Sequence, residues 1–321
     1  MAKVIHEWDK MAFLERIRPE LKRFCGKRIA VKLHFGEPGN PAAFTPLHIL
    51  PLTDLLGELG ITFFLYDSSV AYPSPRGRTA SHREAALAKG WGSLGEVRTD
   101  DDRVIQVKGR HLTYEVCAPL AEADGVLVVS HLKGHVCCGF GGALKNLGMG
   151  CLSKKSKMAI HDGGSPVFTG ECSGCGVCVP ACPIGGIELQ GGKAVFVTCY
   201  GCSGCAAVCP TQAISPKVAP FEELLAGGAK AAASRFKSAY YLTFMGNITR
   251  MCDCERSPGE IIAKDCGWLA SADPVAIDRA GHDIVTATAG EDVFLKSNLK
   301  SGLGQIEAAE KLGLGSMRYR S

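Results

Sequence analysis

The chain lacks any hydrophobic run long enough to cross a bilayer, so a membrane-spanning helix is not expected. It has no basic tract and no Lys/Arg stripe interleaved with aromatics. Its net charge is only +4, so a nucleic-acid partner is not expected either. Met1 leads straight into a mixed polar segment with no apolar leader, which argues against secretion into an oxidising compartment. What remains is an ordinary globular balance, 46% hydrophobic and 21% charged over 321 residues. That length accommodates one large or two ordinary domains.

Cysteine, by contrast, is abundant and patterned. Eight of the sixteen cysteines fall in two near-identical runs. C-S-G-C-G-V-C-V-P-A-C-P holds Cys172, Cys175, Cys178 and Cys182; C-Y-G-C-S-G-C-A-A-V-C-P holds Cys199, Cys202, Cys205 and Cys209. Each run is C-x2-C-x2-C-x3-C-P, the bacterial ferredoxin spacing, in which the fourth cysteine ligates the other cluster. The spacing therefore predicts two [4Fe–4S] clusters, one on Cys172, Cys175, Cys178 and Cys209, the other on Cys199, Cys202, Cys205 and Cys182. Structural zinc pairs C-x2-C with a distant second pair, and a third cysteine followed by C-P departs from that pattern. Free thiols and cubanes together point to the reducing cytoplasm of an anaerobe.

The cysteine-rich stretch, 166–216, contains an internal repeat whose copies end in short apolar tails, I-G-G-I-E-L and T-Q-A-I, expected to pack over the cubanes in a small β-α-β fold. Periodic strand and helix signals flank it. R-I-A-V-K-L (28–33), I-T-F-F-L-Y (61–66), G-V-L-V-V-S (125–130), the segment 240–244 and E-I-I-A-K (260–264) read as strands. The segments 46–59, 79–89 and 221–237 read as helices, as does the segment opened by Asp273-Pro274. The expected architecture is α/β: a mostly parallel, doubly wound sheet with an inserted two-cluster ferredoxin-like module. Its halves are 1–165 and 217–321 around the 166–216 insert.

In open α/β sheets, ligands sit beyond the carboxyl ends of the strands. Here His34, Glu37 and Asn40 follow the first strand, and Asp67 follows the second. His131, Lys133 and His135 follow the third; Asn247, Cys252, Asp253 and Cys254 follow the fourth; Asp265 and Cys266 follow the fifth. Together they predict one composite polar site. Taken singly, G-E-P-G-N is also a turn sequence, Asp67 a loop cap, and one histidine a core residue. In H-L-K-G-H, alternation puts His131, Lys133 and His135 on one face.

The run G-F-G-G-A-L-K-N-L-G-M-G (139–150) implies close backbone approach. Either it packs tightly, or Gly139, Gly141, Gly142 and Asn146 hold a cofactor or anion at a helix start, with Lys145 as counter-charge. It is neither a Walker loop nor a dinucleotide fingerprint. Cys252 and Cys254 are either inert buried thiols or, with Cys266 or a histidine, a further metal or redox site. Cys137 and Cys138 are equally open, whereas Cys25, Cys117 and Cys151 read as core. Lys154, Lys155 and Lys157 read as a solvated basic face, or a docking patch for an acidic electron donor.

H-F-G-E-x-G-N (34–40), S-H-L-K-G-H (130–135), the glycine run, both cysteine runs, C-D-C (252–254) and A-S-A-D-P-V-A-I-D (270–278) resemble the ferredoxin-containing members of "domain of unknown function 362". The resemblance runs over nearly the whole chain. It implies a cytosolic iron–sulfur protein and supplies no reaction. Cys137 and Cys138 differ from the family's usual residues. More distantly, His135, the glycine loop and Lys145 are similar to the H…G-x-G-G-x-K region of lactate-racemase-type enzymes, which carry no ferredoxin insert.

Three functions fit these residues. In a reductase of an unidentified small molecule, a ferredoxin-like partner would feed the clusters. Lys133 and Lys145 would neutralise the substrate, His34, His131 or His135 would deliver protons, and Asp67 or Glu37 would orient a histidine. A non-enzymatic electron-transfer subunit and a metallocentre-assembly or metal-sensing protein are the alternatives.

Overall fold

The computed structural model describes residues 1–321. An eight-stranded sheet runs through the molecule in the order Tyr319–Arg320, Ala2–Glu7, Gly267–Ser271, Ala239–Met245, Val126–His131, Arg28–Lys32, Thr62–Tyr66, Glu96–Arg98. Five of its seven neighbour pairs are parallel; the two ladders made by Gly267–Ser271 are antiparallel. The inner strands are apolar on both faces, as Val126–Ser130 shows by being wholly buried. That is the signature of a sheet covered on two sides.

Two separate cores confirm the double winding. One face carries Lys10–Leu21 and Pro46–Glu58, whose Phe13, Ile17, Ile49 and Leu56 pack with Ile29, Val31 and Leu127. The other face carries Ala143–Gly148, Phe221–Ala233 and Pro274–Ala289, packed on Ala30, Val126 and Val128. The Pro274–Ala289 helix starts as its sequence predicts, with the Asp273 carboxylate accepting from Val275 N at 2.8 Å and Ala276 N at 3.0 Å. No helix is long and apolar enough to cross a membrane.

One predicted strand is displaced. E-I-I-A-K makes only an isolated bridge, Thr249 to Ile261, and Ile261 is 63% exposed. The strand is instead Gly267–Ser271, buried at every position. Because it runs antiparallel to its neighbours, it enters the sheet at the edge where they leave. Asp265 at that entry caps the preceding turn, accepting from Asn247 N at 2.8 Å.

The cysteine-rich stretch forms two short antiparallel ladders, Pro166–Phe168 with Ile214–Pro216 and Ile187–Gln190 with Lys193–Phe196, and one short helix, Gly204–Ala207. This differs from the expected β-α-β unit. The Gly191-Gly192 turn, with both glycines at positive φ, folds the first apolar tail back as a hairpin. The second tail instead pairs with residues that precede the first cysteine run. Cys178, Ile187, Ala194, Cys205 and Ile214 make a small core of their own.

Candidate functional site

At the carboxyl edge of the sheet lies a solvent-open pocket, with about 870 Å³ of atom-free space counted out into the solvent. It draws His34, Asp67, His131, His135 and the Cys252–Cys254 segment from four of the five predicted strand ends, together with Gly141, Gly142, Lys145 and Asn146. Lys133, Glu37 and Gly139 do not line it, and neither do Asp265 and Cys266.

The floor is a buried ion network that the sequence analysis did not anticipate. Lys32 and Arg76, both fully buried, converge on Asp67, with Lys32 Nζ 3.1 Å from Oδ1 and Arg76 Nη2 3.3 Å from Oδ2. Arg76 also meets Glu37 at 3.3 Å and donates to His34 Nε2 at 2.9 Å. Burial pushes the Asp67 carboxyl up, but Lys32, His82, His34 and Arg76 overcome it and hold the pKa well below the usual carboxylate range. The same environment keeps His34 neutral: burial and the Arg76 charge lower its pKa well below that of free imidazole. With Arg76 donating to Nε2, His34 is placed to receive a hydrogen bond rather than to give a proton. Asn146 is used up locally, accepting from Lys32 Nζ at 2.9 Å and donating to Val129 O at 3.1 Å. A lysine inside a strand buried on both faces, as in R-I-A-V-K-L, was the available signal for this network.

A second cluster fixes the C-D-C segment. Asp253 is buried, 2.9 Å from His131 Nδ1 and 2.9 Å from Lys133 Nζ, and accepts from Phe44 N at 3.1 Å. Burial raises the Asp253 pKa, and His131 and Lys133 reverse the shift, leaving the residue an anion. His131 gives its other nitrogen to Gly246 O at 2.7 Å and stacks on Phe44. Lys133 donates its remaining reach to Ala42 O at 2.6 Å. Neither side chain is left free for a ligand; both anchor the loop. With Asp253 pinned inward, Cys252 and Cys254 face the pocket together, and the structure bridges them as a disulfide.

Lys145 and His135 stand beside these sulfurs. Lys145 Nζ lies 3.3 Å from Cys252 Sγ, and the ligating atoms of His135, Cys252 and Cys254 all lie within 4.8 Å of one another. His135 Nδ1 accepts from Cys137 N at 3.3 Å and sits 3.2 Å from Cys138 Sγ, which leaves Nε2 for the pocket. Burial first, and the Lys145 charge second, lower the His135 pKa well below its ordinary value. Burial also lowers that of Lys145. The cysteine-rich stretch and this His135–Cys252–Cys254 group both have the composition of metal-binding sites.

The glycine loop does not offer its helix start to an external anion. That position is taken by Asp278, whose carboxylate accepts from Ala143 N at 2.7 Å and Leu144 N at 2.9 Å. A Cβ at Gly142 would collide with this carboxylate, and one at Gly139 with the backbone of Lys300 and Gly302. Close internal packing therefore accounts for these two glycines. Lys157 departs from the solvated face expected of it: it is buried, lines the pocket and donates to Ser68 Oγ at 2.8 Å. Lys154 and Lys155 are exposed as expected.

The eight patterned cysteines line two cavities. Cys182, Cys199, Cys202 and Cys205 surround one, and Cys172, Cys175, Cys178 and Cys209 the other. The first lies against the pocket. Val136 and Cys137 line it, while the preceding His135 lines the pocket. His161, also on the pocket wall, bonds through Nδ1 to Tyr200 O at 2.7 Å, and Tyr200 lines the cavity. Gly201, at positive φ, packs so closely on the His161 carbonyl that no side chain fits between them.

Among solved structures, the chain is similar to a protein from Thermotoga maritima, with 11% identity and a TM-score of 0.43, over 93% of this chain and 59% of that one. It is also similar to the lactate racemase apoprotein from Thermoanaerobacterium thermosaccharolyticum, with 13% identity and a TM-score of 0.46, over 90% of this chain and 58% of that one. The chain thus spans less than three fifths of either protein, and neither likeness bears on its activity. No curated protein matches it. The model of the family described as "Domain of unknown function (DUF362)" matches residues 29–283, most of the chain, and the protein belongs to that family.

Proposed function

We propose that this is an iron–sulfur oxidoreductase that passes electrons from two [4Fe–4S] clusters in a ferredoxin-like insert to a small anionic molecule held in the strand-end pocket. The observation that carries this is the shared wall: residues 135–137 line the pocket at one end and the Cys182–Cys199–Cys202–Cys205 cavity at the other. Two sets of four sulfurs, each around its own cavity and each drawn from both runs, suit two cubanes. Bound there, the clusters supply single electrons at low potential.

The chain's own residues supply the rest. Lys145 and Lys157 line the pocket with no carboxylate partner, so an anion is the complementary ligand. This replaces Lys133, whose charge is spent on Asp253. His135, neutral and with Nδ1 occupied, presents Nε2–H as a hydrogen-bond donor, and the Lys145 ammonium, whose pKa burial lowers, is the proton source. The reading places the protein in a reducing cytoplasm with a ferredoxin-like donor as partner.

Anaerobic reconstitution tests it. About eight iron atoms per chain and a reducible cluster spectrum are expected. The variants His135→Ala and Lys145→Ala should keep the brown colour and lose reduction of the pocket ligand. Iron binding to fewer than four of the eight cysteines would end the proposal.

A further inference from the structure

We infer that Cys252 and Cys254 form a redox-active dithiol–disulfide couple at the floor of the pocket, and that the molecule reduced there is a small anionic disulfide. The inference rests on the electron-relay reading above and names its substrate class.

The bridge has no use as a staple. Its cysteines are two residues apart, and the stabilisation from a disulfide grows with the length of the loop it closes. Chain constraint therefore gives no reason for it, whereas its setting has the elements of thiol–disulfide chemistry. Asp253, clamped by His131, Lys133 and Phe44 N, turns both sulfurs toward the open side. Cys252 Sγ receives the Lys145 ammonium at 3.3 Å and the Cys254 amide at 3.4 Å, two donors that stabilise a thiolate there. Cys254 is the more exposed of the two. The sulfurs lie within 4.8 Å of the His135 ring, and His135 opens the segment that walls the inner four-cysteine cavity.

The chemistry balances. Two electrons from a low-potential iron–sulfur donor, with two protons, break the Cys252–Cys254 bond to give two thiols. The Cys254 thiolate attacks one sulfur of a substrate R–S–S–R, forming a mixed disulfide and releasing one R–S⁻. The Cys252 thiolate then attacks Cys254 sulfur, re-forming the protein disulfide and releasing the second R–S⁻. The two protons that the Cys254 and Cys252 thiols give up on becoming thiolates are the ones the two leaving R–S⁻ take up, with the Lys145 amine beside Cys252 as the relay, so the cycle consumes two electrons and two protons. Lys145 and Lys157 select negative R groups.

Anaerobic reductive titration of the cluster-loaded protein tests this, followed by alkylation and peptide mapping. The wild type should take up about four electrons, one per cluster and two for the couple, and Cys252→Ser or Cys254→Ser about two. Alkylation should label both cysteines only after reduction. Dithiodipropionate, a dianion, should reoxidise the reduced protein at least about tenfold faster than the dication cystamine, and Lys145→Met should erase that preference. Equal electron uptake by wild type and both variants, with cluster spectra intact, would overturn the inference and leave the relay standing. A stoichiometric metal ion lost in Cys252→Ser would likewise overturn it. Protein that takes up no iron would remove the relay itself, while the alkylation pattern after reduction by a dithiol would still report on the couple.

Discussion

Asp278 reaches across from a neighbouring helix to place its Oδ1 2.7 Å from Ala143 N, capping the helix that carries Lys145. A carboxylate is favoured at a helix start, yet this one is so deeply buried that desolvation wins: its pKa is pushed up to about 7, against the Ala143 and Leu144 amides. Unfolded, the group titrates near the ordinary aspartate value of 3.8. The folded protein therefore holds a proton that the unfolded chain has lost across the interval between these values. The stabilisation is complete below the unfolded pKa and declines as pH rises to about 7. Thermal unfolding at pH 5 and pH 8 should show this decline in wild type and its absence in Asp278→Asn. Asp278→Ala, which orphans two buried amides, should cost about 1–3 kcal/mol.

The Lys32–Asp67–Arg76 network has the opposite sign. Asp67 is held below its unfolded pKa, so its contribution is present above that value and lost as pH falls through the folded one. Asp67→Asn should therefore destabilise the protein at neutral pH and much less in acid, because Lys32 would be left without a carboxylate and Arg76 with Glu37 alone. A loss of about 3–5 kcal/mol is expected from denaturant titration at pH 7. The double variant Asp67→Asn/Lys32→Met should recover part of it, because it removes the cation left without a carboxylate.

How much of this was legible in the sequence depended on whether the signal was local. The alternating α and β pattern and the cap at Asp273 are short-range properties, and they placed most of the sheet and its helices, while the eight patterned cysteines fall into two groups of four around separate cavities. The strand at Gly267–Ser271 was missed because E-I-I-A-K has the stronger apolar pattern, while pairing with Ala2–Glu7, some 260 residues away, decided the matter. Lys157 reads as a surface charge and Arg76 carries no local signal, since nothing nearby in sequence reveals that Ser68 and Asp67 will meet them. The glycine run announced close approach without saying to what, and the answer, Asp278, lies in a helix more than 130 residues on.

Lys157 gives a pH test of the pocket's charge. Burial pushes its pKa down to about 8, well below the ordinary lysine value of 10.5. Binding of a small dianion such as dithiodipropionate should therefore weaken as pH rises through about 8. Lys157→Gln should bind it roughly tenfold less tightly at pH 7 and flatten the pH profile. Calorimetric titration at pH 7 and pH 9 reads both effects. On stability the sign reverses: between the folded and unfolded values the unfolded chain binds more protons, so this residue's burial penalty eases as pH rises.

The two cysteine sets should separate by function. Cys205 lines the cavity next to the pocket, and Cys178 lines the one away from it. On the proposed relay, either change to serine removes one thiolate ligand, and each variant should retain about four of eight iron atoms. The consequences differ because the position in the relay differs. Cys205→Ser takes away the centre that adjoins His161 and Cys137, so a chemical reductant should still colour-bleach the remaining cluster while the pocket receives nothing. Cys178→Ser leaves the inner centre in place, so a small reductant that reaches it directly should still drive the pocket, whereas a ferredoxin-like protein docking at the outer face should not. Comparing dithionite with a reduced ferredoxin as donor, with iron content measured on the same samples, gives four rates. The order proposed here requires that only the Cys178→Ser rate depend on which donor is used.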